Sequence, residues 1–151
     1  MHRVLIPLAL AVLAGALSAA ELPYDEHADA NAELQQALAA AQLNRHDVLV
    51  VFGANWCPDC RELDKALKGR SHELIASRFQ VVKVDVGRFD KNLDLANRYG
   101  NPIRLGIPAV VVLTPDDKVV YSSKGGELAN ARRMGDSGIY DFLSSHVAVA
   151  H

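Results

Sequence analysis

Apolar runs alternate with helically spaced apolar positions along most of the chain. Residues 48–52, 79–86 and 107–113 are rich in β-branched side chains, which predicts three strands. The run at 48–52 is unbroken, as is typical of a central parallel strand covered on both faces. Residues 114–118 have the composition of a turn, so residues 119–121 are predicted to return as a fourth, antiparallel strand.

The segments between these runs carry helical periodicity. Leu34, Leu38 and Ala41 predict a first helix that begins near Ala30 and is capped by Asp29. The same reasoning predicts four later helices: residues 57 to about 68, ended by Gly69; a short one capped by Ser71; one capped by Asp90 and stopped by Gly100; and residues 128 to about 147, weakened by Gly135 and Gly138.

This order of elements predicts a single α/β domain. Strands separated by helices favour parallel pairing with right-handed crossovers, and the last tight turn adds one antiparallel pair. We therefore expect a mixed, mostly parallel sheet with helices on both faces.

Residues 1–20 have the pattern of a signal peptide and are set aside from the fold. Arg3 precedes an apolar stretch at 4–17, which is too short for an ordinary spanning helix. The small residues at 18–20 predict cleavage after Ala20, leaving residues 21–151 as the folded domain. An uncleaved N-terminal membrane anchor is the alternative. Export would place the protein in the periplasm or outside the cell, where disulfides persist.

Charge and histidine content exclude several classes of function. The formal net charge is −2, so no basic surplus favours nucleic acid as a partner. Arg132 and Arg133 are interpreted most simply as a solvated helix face. The six histidines are scattered and form no pair with metal-ligand spacing.

Cys57 and Cys60 are the only cysteines, and they lie where the first strand passes into the second helix. A Cys-x-x-Cys in that position is typical of a redox site. A purely structural disulfide is the first alternative, although closing so short a loop stabilises a fold by only about 2 kcal/mol. A zinc site is the second alternative, but it needs four ligands and the chain has no paired histidines to complete it.

The positions of the two thiols assign their roles. Cys57 precedes the helix, where unpaired backbone N–H groups favour a negative sulfur, so it should attack. Cys60 lies one turn further and should resolve the mixed disulfide. Pro58 suits the first helical position. Asp59 favours the helix start but opposes a nearby thiolate, which predicts a less oxidising pair suited to a reductase or isomerase.

The chain resembles the thioredoxin family over about residues 30–147. The resemblance rests on Trp56-Cys57-Pro58-Asp59-Cys60 between strand and helix, on Lys83 in the next strand, and on Gly106-Ile107-Pro108 before the third. It implies a thioredoxin-like fold, a Cys57–Cys60 disulfide, and a cis Ile107–Pro108 bond that lies against the cysteines and presents the Ile107 backbone to substrate. An ordinary strand-edge proline is the alternative for Pro108.

Three positions depart from the family pattern. Val51 replaces a buried aspartate, which leaves Lys83 without its usual partner, and Gly53 replaces a second tryptophan. Residues 87–105 are longer than in the minimal fold, and we expect them to help choose the substrate. Trp56 is expected to shield the sulfurs or to pack. Lys83 is expected either as a half-buried charge near Cys60 or as a side chain extending from a strand end.

Together these features predict a thiol–disulfide oxidoreductase that needs no bound cofactor and acts as a monomer. Its expected partners are disulfide-containing exported proteins and a membrane or periplasmic dithiol electron donor. Two alternatives remain: a non-catalytic binding module with a permanently closed disulfide, and a thiol chaperone for metal or cytochrome assembly.

Overall fold

A computed structural model describes residues 21–149, so the predicted signal peptide at 1–20 lies outside the described residues. Its elements are α1 (Ala30–Asn44), β1 (Asp47–Gly53), α2 (Pro58–Lys68), α3 (His72–Ala76), β2 (Phe79–Asp85), α4 (Leu93–Arg98), a 3₁₀ turn (Pro102–Leu105), β3 (Ala109–Leu113), β4 (Val119–Ser122), α5 (Ala131–Phe142) and a π-helical turn (Leu143–Val147). The predicted order of strands and helices is confirmed.

The four strands form one sheet in the order β2-β1-β3-β4, with β1 in the interior. β1 runs parallel to β2 but antiparallel to β3, and β3 is antiparallel to β4, so the expectation of a mostly parallel sheet was wrong. The cause is the connection between β2 and β3. Its helix, α4, is too short to carry the chain back across the sheet, so Ala109 pairs with Phe52 at the edge where β1 and β2 end.

Two apolar layers cover the sheet. On one face Val48, Val50 and Phe52 pack with residues of α1 and α4, and on the other Leu49 and Val51 pack with α2, α3 and α5. Every residue of β1 is buried, which confirms the prediction of a strand covered on both faces.

Several helix ends differ from the predictions. The Asp29 carboxylate caps α1 as expected, accepting from the Ala32 N–H at 3.0 Å. Asp90 does not cap α4, because it accepts from the Arg88 N–H in the preceding loop, and Ser71 makes no capping bond to α3. The last helix begins at Ala131 rather than 128, and Gly135 interrupts it with a φ of 67°.

No helix between residues 21 and 149 is long and apolar enough to cross a membrane.

Replacing Leu34 with alanine should lower the free energy of unfolding by about 2–5 kcal/mol, because it empties a fully buried site between α1 and the sheet. Leu43→Ala on the same helix is the matched control, since Leu43 is 86% exposed. Urea denaturation measures both. Equal losses for the two variants would contradict the position of α1 on the sheet.

Candidate active site

The turn after β1 delivers both cysteines to one edge of the sheet. β1 ends at Gly53, and a bond from the Cys57 N–H to the Ala54 carbonyl, 3.2 Å long, closes the turn. Cys57 is the N-cap of α2 and Pro58 its first residue, as predicted. The Cys57 sulfur accepts from the Cys60 N–H at 3.2 Å, so an orphan backbone donor of the helix faces that sulfur.

The two cysteines form a disulfide, with their Cα atoms 5.2 Å apart. Cys57 is 4% exposed and Cys60 is completely buried. Cys57 is therefore the more accessible of the two, as the role of attacking residue requires.

The Ile107–Pro108 turn lies directly against Cys57. Its peptide bond is cis, and the Ile107 carbonyl oxygen is 3.7 Å from the Cys57 sulfur. Both residues are buried, so Pro108 is not an exposed strand-edge proline. The position is the one that the resemblance implies.

Trp56 lies at the surface, 44% exposed, and is fixed by the loop after β2. Its indole Nε1–H donates to the Gly87 carbonyl at 2.8 Å. Phe89 makes an edge contact with the indole at 6.4 Å between ring centroids, and the Arg88 guanidinium lies 5.5 Å from the ring centre. The start of the 87–105 segment is thus attached to the cysteine motif.

A groove runs along the 87–105 segment and extends as far as Gly106, the residue before the Ile107–Pro108 turn. Its lining includes Phe89, Leu93, Ile103, Arg104 and Gly106. The exposed apolar side chains of Phe89 and Leu93 stand on its rim. The groove therefore combines apolar surface with the positive charge of Arg104.

Lys83 lacks the strand aspartate of the family but has another carboxylate partner. Its ammonium group pairs with Asp64, which also lies 3.1 Å from Lys68. Val51 and Lys83 are neighbours in the β1–β2 register, so the helix supplies, through Asp64, the acid that the strand lacks. Because this contact joins α2 to β2, the strand pattern alone could not predict it.

Asp59 also has a partner that local sequence did not predict. Its carboxylate accepts from the Arg132 backbone N–H at 2.9 Å and from the Arg132 side chain at 3.3 and 3.5 Å. The interpretation of Arg132 as part of a solvated helix face was therefore incomplete. The guanidinium offsets part of the Asp59 charge, which weakens the expected opposition of Asp59 to a thiolate on Cys57.

The segment before α1 reaches under the cysteine motif, a contact that no sequence pattern predicted. Tyr24 is buried, and its backbone N–H and carbonyl bond to the Asn55 side chain at 2.9 and 2.8 Å. A Cβ on Gly53 would overlap the Tyr24 hydroxyl and lie 2.9 Å from the Cys60 sulfur. Gly53 therefore leaves room for a phenol beside the inner cysteine, where the family has a second tryptophan on the strand.

Burial raises the pKa of the Tyr24 phenol far above its usual value, and the negative charges of Asp64 and Asp85 raise it further. The hydroxyl therefore keeps its proton even at pH values where an ordinary tyrosine would lose it.

Within residues 21–149, no group of three or more His, Cys, Asp or Glu side chains is arranged to hold a metal ion.

Arg132→Ala should raise the pKa of the Cys57 thiol, because it removes the positive charge beside the Asp59 carboxylate at the start of α2 and leaves only the backbone N–H of residue 132 bonded to that carboxylate. Asp59→Asn should lower that pKa. Arg133→Ala is the matched control, since Arg132 and not Arg133 contacts the Asp59 carboxylate. The pH dependence of Cys57 alkylation in the reduced protein measures all three. An Arg132→Ala profile that matches Arg133→Ala would contradict the electrostatic role of the pair.

The profile of a thioredoxin-like family matches residues 29–115, more than half of the chain. Among solved structures, the chain is similar to a disulphide isomerase from Xylella fastidiosa Temecula1. The sequence identity is 59% and the TM-score 0.81, over 83% of this chain and 97% of that one. It is also similar to the oxidised C-terminal domain of Neisseria meningitidis DsbD, with 25% identity and a TM-score of 0.50, over 63% and 82% of the two chains.

A curated relative, probable nucleoredoxin 3 from Oryza sativa subsp. japonica, is 31% identical over 52% of this chain. The match spans only 21% of that much longer protein. The fold expected from the resemblance is confirmed by the profile and by the Xylella structure. The chain belongs to the thioredoxin-like family, and its Cys57–Cys60 pair is that of a thiol–disulfide oxidoreductase.

Proposed function

We propose that this protein reduces or isomerises disulfides of exported proteins through the Cys57–Cys60 dithiol. The observation that carries the proposal is the position of the Cys57 sulfur. It lies at the N-terminus of α2 and 3.7 Å from the Ile107 carbonyl, with the fully buried Cys60 one turn further along the helix.

The reaction begins with the reduced pair. The Cys57 thiolate attacks one sulfur of the substrate disulfide, forms a mixed disulfide and releases the other substrate sulfur as a thiolate. In reduction, Cys60 loses its proton and attacks the Cys57 sulfur. The Cys57–Cys60 bond forms, the bond from Cys57 to the substrate sulfur breaks, and the substrate leaves as a second thiolate that takes up the proton lost by Cys60. In isomerisation, a substrate thiolate resolves the mixed disulfide instead, and the dithiol is recovered.

Both reactions require a reduced pair, so a dithiol donor must return two electrons after each net reduction. The Xylella neighbour is by name a disulphide isomerase, which supports this assignment over an oxidase. The likeness to the DsbD C-terminal domain supports a donor of the same dithiol chemistry. Because the Arg132 guanidinium offsets part of the Asp59 charge, Asp59 opposes the Cys57 thiolate less and so favours a reducing pair less strongly.

Export is proposed from residues 1–20 alone, whose charged start, apolar stretch and small residues fit a signal peptide cleaved after Ala20. The working compartment is then the periplasm or the exterior. The donor is accordingly a membrane or periplasmic dithiol protein, and the proposed working state is a monomer.

The substrate enters as an extended segment that places its disulfide over Cys57. The Ile107 backbone lies beside that sulfur, and the groove that begins at Gly106 is apolar on its rim. Phe89 and Leu93 on the 87–105 segment favour an apolar side chain next to the substrate cysteine.

Cys60→Ser should retain a substrate as a mixed disulfide on Cys57, because the first exchange proceeds but no thiol remains to resolve it. Cys57→Ser should retain none, since Cys60 is fully buried. The reduced variants are mixed with a peptide disulfide, and the adducts are measured by mass spectrometry without reductant.

The wild-type protein is the control, and it should consume the peptide disulfide and end as the Cys57–Cys60 disulfide. If wild type stays reduced and Cys60→Ser forms no adduct, the site is a binding module rather than an exchange catalyst. Adducts of equal yield on both serine variants would contradict the assignment of Cys57 as the attacking residue.

A further inference from the structure

Cys60 must form a thiolate in a place that disfavours one. It is completely buried in the apolar cluster that also contains Phe52, Val84 and Ile107. A buried sulfur anion without a partner is costly, and burial alone raises a thiol pKa. Resolution of the mixed disulfide therefore needs a group that stabilises negative charge on this sulfur.

The charged groups around Cys60 do not supply it. On α2, Asp64 carries negative charge and is paired with Lys83 and Lys68. On β2, Asp85 is also acidic and lies 3.5 Å from Lys91. Glu26, in the segment before α1, accepts from Asn55 at 3.1 Å. Each of these lysines is already engaged with a carboxylate, so it supplies no unopposed positive charge to the sulfur, and Glu26 adds a negative charge.

Tyr24 offers a neutral donor on the inner side of the pair. The Tyr24 hydroxyl and the Cys60 sulfur both lie next to Gly53. A Cβ built on Gly53 would overlap the hydroxyl and lie 2.9 Å from the sulfur. Tyr24 belongs to the same buried cluster as Cys60. A phenol O–H is the kind of donor that an isolated sulfur anion requires.

We propose that the Tyr24 hydroxyl donates a hydrogen bond to the Cys60 sulfur as it becomes a thiolate, and so promotes resolution of the mixed disulfide. This inference rests on the proposed exchange function. It assigns a reaction role to a residue outside the Cys-x-x-Cys motif and before the first helix.

The phenol acts as a donor and not as a base. Because burial holds its pKa far above neutral, Tyr24 keeps its proton throughout. In the step itself, the Cys60 thiol releases its proton to water and the Cys60 thiolate attacks the Cys57 sulfur. The Cys57–Cys60 bond forms, the bond from Cys57 to the substrate sulfur breaks, and the substrate leaves as a thiolate.

The surrounding residues hold the tyrosine in place. The Asn55 side chain fixes the Tyr24 backbone by accepting from its N–H and donating to its carbonyl, and Asn55 lies two residues before Cys57. The loop that leads into Cys57 is therefore bonded directly to Tyr24, the proposed donor to the Cys60 sulfur. The glycine at 53 is required because any side chain there would separate the phenol from the sulfur.

Tyr24→Phe should slow resolution roughly tenfold or more at neutral pH, since a hydrogen bond to a charged sulfur is lost. The probe is a glutathione mixed disulfide formed on Cys57, and the measurement is the rate of glutathione release as Cys60 attacks. The deficit should shrink as the pH rises, because the Cys60 thiolate then forms without help. Alkylation of Cys57 in the reduced protein should be unchanged.

Tyr121→Phe is the matched control, because Tyr121 is a partly buried tyrosine that packs with Phe142 on the opposite side of the sheet. It should release glutathione at the wild-type rate. Asn55→Ala is a second variant that retains the phenol but removes both bonds that hold the Tyr24 backbone, and it should show a deficit with the same pH dependence as Tyr24→Phe.

Release from Tyr24→Phe at the wild-type rate, or a deficit that stays constant with pH, would overturn the role of Tyr24. If Tyr24→Phe does not fold, Asn55→Ala decides between the same two results. A wild-type protein that never releases glutathione would instead refute the proposed exchange function, so the two failures are distinguishable.

Discussion

The burial of β1 between two apolar layers determines where the chemistry occurs. Every residue from Asp47 to Gly53 is covered, so the strand cannot slide or tilt without exposing core on one face. Its last residue therefore fixes the start of the cysteine turn and the position of α2. The connection from β2 to β3 stays at the same edge of the sheet, which brings the Ile107–Pro108 turn to the Cys57 sulfur.

Charge at this edge is arranged in pairs. Asp59 bonds to Arg132, Asp64 to Lys83, and Asp85 lies near Lys91. Each pair offsets an acid that would otherwise oppose a thiolate, and each joins the motif or β2 to another part of the chain. Neutral hydrogen-bond donors then stabilise negative charge on the two sulfurs. The N–H groups at the start of α2 do so for Cys57, and the proposed Tyr24 hydroxyl bond does so for Cys60.

Local pattern was enough to predict much of this. The unbroken apolar run identified β1, the Cys-x-x-Cys at its end identified the candidate site, and Asp29 correctly marked the start of α1. Predictions failed where a contact spans many residues. The antiparallel pairing of β3 depends on the path of the 87–105 segment, and the partners of Asp59 and Lys83 come from other helices. Tyr24 carries no periodic signal, because its role depends on the space that Gly53 leaves open.

The reduction potential of the Cys57–Cys60 pair tests the central claim most directly. The purified protein is equilibrated with glutathione buffers of known ratio, and the reduced fraction is measured by thiol labelling. A value near or below about −250 mV, close to the roughly −270 mV of thioredoxin, is the predicted result for a pair that is kept reduced by a donor. A value near about −120 mV, typical of strong disulfide donors, would contradict the account and make this protein an oxidant.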